Sequence, residues 1–308
     1  MNSKASGQIP RIGILSPATE PGMRDWWKEF TQGLSELGYE KGSNIEFVWR
    51  FADGKFERLP ALANELASLG VDVIMPATPP AIRAAKSAVS GSIPIVFPLG
   101  SDPVETGLVA SIDRPGGNIT GMATMSWRHC RPRLALVREV IPKAQRIAVI
   151  YHSENTALEL QVEETRAAAR ELGLELTVLK FSTAAEIDRT FEVACSKGSE
   201  ALLPISDPMA LDNAKKIGAL SIQHRVPVIS PFREITDAGG IIGYGPDLST
   251  LFRRTAAVVD RVLKGTKPGD IPIGEPEKFD LSINLVSGRA LNLTFPDSLV
   301  SRAAYLVQ

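Results

Sequence analysis

Apolar, β-branched runs of five or six residues recur along the first half of the chain, at Arg11–Leu15, Asn44–Trp49, Val71–Met75, Ile93–Phe97 and Asn118–Met122. Between them lie stretches whose apolar residues repeat at helical spacing, such as Trp26–Leu37 and Leu59–Leu69. The rhythm resumes at Arg146–Ile150, Glu175–Leu179, Ala201–Ile205, Val226–Ser230 and Gly239–Tyr244, with Leu158–Leu172 as one of the helical stretches. Continuously apolar strands alternating with amphipathic helices predict parallel sheets covered on both faces. The expected fold class is α/β, with two Rossmann-like lobes.

The two halves align with each other. Arg11-Ile12-Gly13-Ile14-Leu15 starts 27 residues before Gly38, and Arg146-Ile147-Ala148-Val149-Ile150 starts 27 residues before Gly173. Val71–Pro80 answers Ser199–Pro208, Ile93–Pro98 answers Val226–Pro231, and Asn118–Met122 answers Gly240–Tyr244. This pattern predicts a structural duplication. Ligands of open α/β sheets bind beyond the carboxyl ends of the strands, so two facing edges are expected to form a cleft.

Composition narrows the chemistry. At 308 residues the chain exceeds one ordinary core. Lys+Arg 34 against Asp+Glu 35 leaves no basic field for nucleic acid. Two cysteines, Cys130 and Cys195, make no disulfide framework, and three histidines without Cys/His clustering give no metal spacing. No metal or other cofactor is expected, and no apolar stretch reaches the ~20 residues of a membrane span. The start, Met1–Gln8, lacks the apolar core of a signal peptide, which fits either a cytosolic chain or one whose leader has been removed. Phosphate-loop, dinucleotide, nucleophile-elbow and zinc-protease motifs are absent. A two-lobed racemase would place paired thiols in equivalent positions. The duplication instead sets Cys195 opposite Ala67 and leaves Cys130 outside the repeat, so no catalytic residue is expected.

The loops that follow the strands are the candidate site: Ser16–Pro21 with Tyr151–Asn155, Thr78–Pro80 with Ser206–Pro208, and Pro98–Pro103 with Pro231–Glu234. Thr78-Pro79, Ser101-Asp102-Pro103 and Ser206-Asp207-Pro208 share a short polar residue before a proline at the first helical position. Such residues cap their own helices, or they serve with free amides as a carboxylate site; both roles stay open. Ser16, Thr19, Thr78, Asp102, Tyr151, Asn155, Ser206 and Asp207 are the expected ligand contacts, with Phe232 as an apolar wall. The preferred ligand is an amino acid or related small carboxylate, aromatic or branched. Trp26 and Trp27 are adjacent, so at least one is expected to pack in the core.

Several stretches carry a resemblance. They are Ile93–Phe97 followed by Asp102-Pro103-Val104 and Gly107–Ser111; Arg114-Pro115-Gly116-Gly117-Asn118-Ile119-Thr120-Gly121; Ala238-Gly239-Gly240 with Tyr244-Gly245-Pro246-Asp247; Phe252-Arg253-Arg254; and Leu263-Lys264-Gly265 with Lys267-Pro268. Together they resemble the ABC-transporter substrate-binding protein family of the type I periplasmic-binding fold. The resemblance implies a hinged chain, with residues 8–123 and 247–273 in an N-terminal lobe and 124–246 and 274–308 in a C-terminal lobe. It also implies a periplasmic or other extracytoplasmic location, a small-molecule ligand and ABC permease membrane subunits as partners, without nucleic acid or direct membrane insertion. The stretch Ile283–Leu291 departs from the family's Lys-Thr-Ala-Lys run and reads as surface variation. An effector-sensing domain of a regulator or receptor is the alternative on the same fold.

Overall fold

In the computed structural model, which describes residues 9–308 apart from the side chains of 21–24, the apolar runs become strands and the amphipathic stretches helices. Residues 1–8, on which the leader expectation and one lobe boundary rest, lie outside the described residues. In chain order the first elements are β1 (Arg11–Ser16), α1 (Glu20–Glu36), β2 (Glu46–Phe51), α2 (Leu59–Ser68), β3 (Val73–Pro76), α3 (Pro79–Val89), β4 (Ile95–Gly100) and β5 (Ile119–Ala123). Then come α4 (Cys130–Val140), β6 (Arg146–His152), α5 (Glu159–Glu171), β7 (Glu175–Phe181), α6 (Glu186–Ser196), β8 (Ala201–Pro204), α7 (Pro208–Asp212), α8 (Ala214–His224), β9 (Ile229–Ser230), α9 (Arg233–Asp237) and β10 (Ile242–Pro246). The last are α10 (Leu248–Leu263), β11 (Phe279–Asn284), α11 (Leu285–Ala290), α12 (Asp297–Val300) and β12 (Tyr305–Val307). The chain divides into two units: one runs up to Thr124 and takes in Leu248–Pro276, and the other comprises Met125–Asp247 and Glu277–Gln308.

The first unit is built on a sheet in the order β2-β1-β3-β4-β5, and all its pairings are parallel. Strand β1 lies inside it, with Ile12, Ile14 and Leu15 fully buried. Helix α10, far along the sequence, returns to pack on α1; a Cβ on Gly33 of α1 would lie 2.9 Å from that of Ala256. Trp26 stacks on Phe252 of α10, and Trp27 meets the same ring edge-on at 4.9 Å. Both tryptophans therefore belong to the core.

The second unit has a sheet β7-β6-β8 and a sheet β12-β11-β10-β9, bridged in parallel between Leu202 and Val228. Read across that bridge, β7-β6-β8-β9-β10 repeats the order of β2-β1-β3-β4-β5, which is the duplication expected from the aligned halves. The 27-residue spacing has a local cause. Helices α1 and α5 both end on a left-handed glycine, Gly38 (φ 88°) and Gly173 (φ 63°). At the first, Tyr39 N–H donates to the Leu34 carbonyl and Gly38 N–H to that of Ser35; at the second, Leu174 donates to Ala169 and Gly173 to Arg170. This is the same two-bond stop, for which a glycine is favoured.

The end of the chain corrects one expectation. Ile283–Leu291 is not surface variation throughout: Ile283 is fully buried in β11, which pairs antiparallel with β10 and parallel with β12. The Asn284 side chain accepts from Ser287 N–H at 2.8 Å and caps α11. Only the later part of the stretch, such as Val286, reaches solvent.

Candidate functional site

Within the first unit the strand ends carry Ser16, Thr19, Thr78 and Asp102. Ser16 closes β1 fully buried, and its Oγ accepts from Ala18 N–H at 3.2 Å. Thr19 is half-buried at the N-cap of α1, in extended conformation and without a side-chain cap bond. Asp102, buried after β4, accepts from Val104 N–H and Glu105 N–H, each at 3.0 Å. It satisfies its own turn.

Thr78 is different. It is 2% exposed and extended (φ −155°, ψ 161°) at the start of α3, yet makes no cap bond. Its Oγ1 is buried without a hydrogen-bond partner. Pro79 and Pro80, which follow it, have no N–H, so the first amide that α3 can offer is that of Ala81. A buried hydroxyl without a partner costs about 1–3 kcal/mol.

Within the second unit, Asn155 and Asp207 join the ends of β6 and β8. Asn155 Nδ2 donates to Asp207 Oδ2 at 2.9 Å, and Asp207 Oδ1 accepts from Met209 N–H at 2.6 Å, capping α7. Complete burial pushes the Asp207 pKa up, against the opposing Asn155 hydrogen bond, the charge of His152 and the Met209 and Ala210 amides. Because its Nδ2 is committed to that carboxylate, Asn155 presents its Oδ1 as an acceptor, and this oxygen is buried without a partner. Ser206 is half-buried and accepts from Ser126 Oγ at 3.2 Å. Phe232, buried ahead of α9, donates its N–H to Ser230 Oγ at 3.0 Å.

Tyr151 departs from its expected role. Its ring belongs to the core of the second unit with Ile147 and Val149, Lys180 lies 5.1 Å over it, and its hydroxyl donates to Glu159 Oε1 at 3.0 Å. Residues alternate sides along β6, and Tyr151 takes the face of Ile147 and Val149.

Two residues went unnoticed in the sequence. Arg133 is buried, and its Nη2 donates to the Ser126 carbonyl at 2.8 Å. His129 stacks on Phe279 with 3.4 Å between ring centroids; burial first, then the charges of Arg133 and Arg128, push its pKa down to about 4. The available signal was periodic: Arg133 falls on the buried stripe of α4 marked by Cys130, Leu134 and Val137.

A surface pocket of about 500 Å³ lies at the strand-start edge of the second unit, among Arg138, Lys143, Arg146 and Glu175. Its arginines are already engaged: Arg138 donates to the Leu172 carbonyl at 2.9 Å and Arg146 to that of Gly198 at 2.8 Å, complementing helix ends. Arg138 Nε is itself buried without a partner there, as are Thr78 Oγ1 and Asn155 Oδ1 after the strands.

Two units with a repeated parallel strand order, and polar groups gathered after the strands, define the type I periplasmic-binding fold. The chain belongs to the ABC transporter substrate-binding protein family, whose profile matches residues 11–307. A tyrosine-binding protein of Clostridioides difficile (strain R20291) is 27% identical over 282 residues, covering 92% of this chain and 81% of that protein. A conserved domain protein of Vibrio cholerae O1 biovar El Tor superposes with a TM-score of 0.90 at 25% identity, covering 97% of this chain and all of that one. A Streptococcus pneumonia ABC domain in complex with L-Trp gives the same TM-score, 0.90, and coverage, at 24% identity.

Proposed function

We propose that this protein captures an α-amino acid with an aromatic side chain outside the cytoplasm and delivers it to the permease of an ABC importer. Family membership supports the carrier role. The relative named for tyrosine and the L-Trp complex support the ligand class.

The observation that carries the reading is that Thr78 Oγ1 in the first unit and Asn155 Oδ1 in the second, each in a loop that follows a strand, are among the buried side-chain atoms without a hydrogen-bond partner. Thr78 supplies a hydroxyl donor beside the Ala81 amide, which suits a carboxylate. Asn155 supplies a fixed acceptor, which suits an ammonium. Asp207 then acts through Asn155, holding the amide with its oxygen outward. A ligand favours the conformation that binds it best, and the permease reads that conformation.

Thermal unfolding with L-tryptophan, L-tyrosine, L-leucine, glucose and adenosine tests this. A ligand at 100 times its Kd stabilises by about 2.7 kcal/mol. A selective upward shift with an amino acid, recovered chemically unchanged, supports the reading; shifts confined to glucose or adenosine overturn the ligand class. Asn155→Leu, which removes the acceptor, is expected to weaken amino-acid binding by about tenfold or more.

A further inference from the structure

The chain passes between its units after Thr124, after Asp247 and after Pro276. On the first unit's side, the first and third of these segments are tied by main-chain bonds: Gly274 N–H donates to the Gly121 carbonyl and Ala123 N–H to that of Gly274. On the second unit's side, the second and third are tied by the sheet, with Gly245 of β10 opposite Asp280 of β11 and Pro246 opposite Phe279. The first segment enters the second unit without a strand, as Met125 and then a 3₁₀ turn, Ser126–His129.

Helix α4 and the turn before it supply what the sheet does not. Arg133 is 4% exposed, and among the described residues no carboxylate pairs with it. Its guanidinium is directed at main-chain carbonyls, with Nη2 donating to Ser126 at 2.8 Å and Nη1 to Tyr244 at 3.4 Å. One carbonyl belongs to the first segment and the other to β10. A helical turn before Arg133, the His129 ring stacks on Phe279 at the start of β11 and meets Tyr244 edge-on at 5.9 Å. Arg133 and His129 thus reach the second-unit ends of all three segments. A buried guanidinium without a counter-ion is an expensive way to fill a helix face, but its rigid fork can hold two carbonyls at once.

Met125 adds a second, independent observation. It is buried and holds a left-handed backbone, φ 48° and ψ 33°, a conformation uncommon for any residue but glycine and sustained only where its surroundings enforce it. It is also the first residue of the second unit.

We propose that Arg133 is a positioning residue for ligand capture: through the Ser126 and Tyr244 carbonyls it fixes the second-unit ends of the connecting segments, and Met125 is the residue about which the first segment turns. The link to capture rests on the carrier reading above, while the mechanical assignment does not.

Hydrogen exchange of the ligand-free full chain, followed by L-tryptophan titration, tests this with Arg133→Met and Arg133→Lys. In Arg133→Met, amides of residues 125–128 and of Tyr244, Gly245 and Asp247 are expected to exchange about tenfold faster or more, while those of β6 and β8 keep their wild-type rates. L-tryptophan affinity is expected to fall by about fivefold. Arg133→Lys keeps the charge and one hydrogen bond, and is expected to be intermediate in both. Wild-type exchange of these segments in the variants, or equal acceleration in β6 and β8, overturns the assignment. If Arg133→Met does not fold, the segment-specific exchange of Arg133→Lys decides. If the wild-type chain ignores L-tryptophan, the ligand reading fails alone and the exchange pattern still decides the role of Arg133.

Discussion

Thr78 and Asp207 occupy comparable strand-to-helix turns, and Asp102 a turn after β4 that, contrary to the Asp-Pro expectation, no helix follows; of the three, only the two aspartates spend their side chains on local amides. Because the Thr78 hydroxyl is buried without a partner, Thr78→Val is expected to leave stability unchanged or raise it by up to about 1–3 kcal/mol while abolishing tight ligand binding. Thr120 is the control. It is equally buried, and its Oγ1 donates to the Ile271 carbonyl at 2.8 Å, so Thr120→Val is expected to cost about 1–3 kcal/mol. Urea unfolding of the two variants makes the comparison. Asp207→Ala removes a cap and strands the Asn155 amide, so the same measurement is expected to show a loss of roughly 2–3 kcal/mol. His129 gives a pH signature. Its pKa is depressed to about 4 from 6.5 by burial and by Arg133 and Arg128, so below pH 6.5 the unfolded chain takes up a proton that the folded chain refuses. Stability is therefore expected to decline as pH falls from 6.5 towards 4, and less steeply in His129→Gln, with melting temperature as the readout.

At the scale of elements, close backbone approaches set what the fold tolerates. A Cβ on Gly245 of β10 would stand 1.9 Å from the Pro231 carbonyl, and one on Gly218 of α8 would stand 2.0 Å from that of Ala238. Both obstacles are main chain and cannot swing away. Gly218→Ala and Gly245→Ala are each expected to cost about 3 kcal/mol or more in chemical denaturation, well above an ordinary surface Gly→Ala change. The ten strands of the repeat were legible in the sequence because parallel strands, covered on both faces, read as apolar runs punctuated by helices. Strand β11 was not assigned in advance, although Phe279, Leu281 and Ile283 alternate with polar residues. Its pattern has no counterpart in the first half, and Ser282 and Asn284 on the alternate positions are buried too, through bonds to Gly243 and Thr236. Tyr151 was misplaced for a related reason. Both faces of β6 are apolar, so the sequence does not say which side the ring takes.

For the whole molecule, repeated strand order and family membership agree on a binding protein. The strand-end position of Thr78 and Asn155 was legible from the repeat. Their unpartnered atoms were not, since a Thr-Pro and an Asp-Pro start look alike in sequence and differ only in where the side chain turns. Arg133 was hidden differently: its role depends on Tyr244, 111 residues away. The central claim is that the protein binds an aromatic α-amino acid and that the strand-end groups Thr78 Oγ1 and Asn155 Oδ1 are needed for it. Calorimetric titration of L-tyrosine and L-tryptophan into protein first unfolded and refolded, to shed any carried ligand, tests it most directly. The account predicts saturable binding of at least one of them, lost in Thr78→Val and in Asn155→Leu while both variants stay folded. Absence of binding by these and other α-amino acids, with a sugar or nucleoside binding instead, would contradict it.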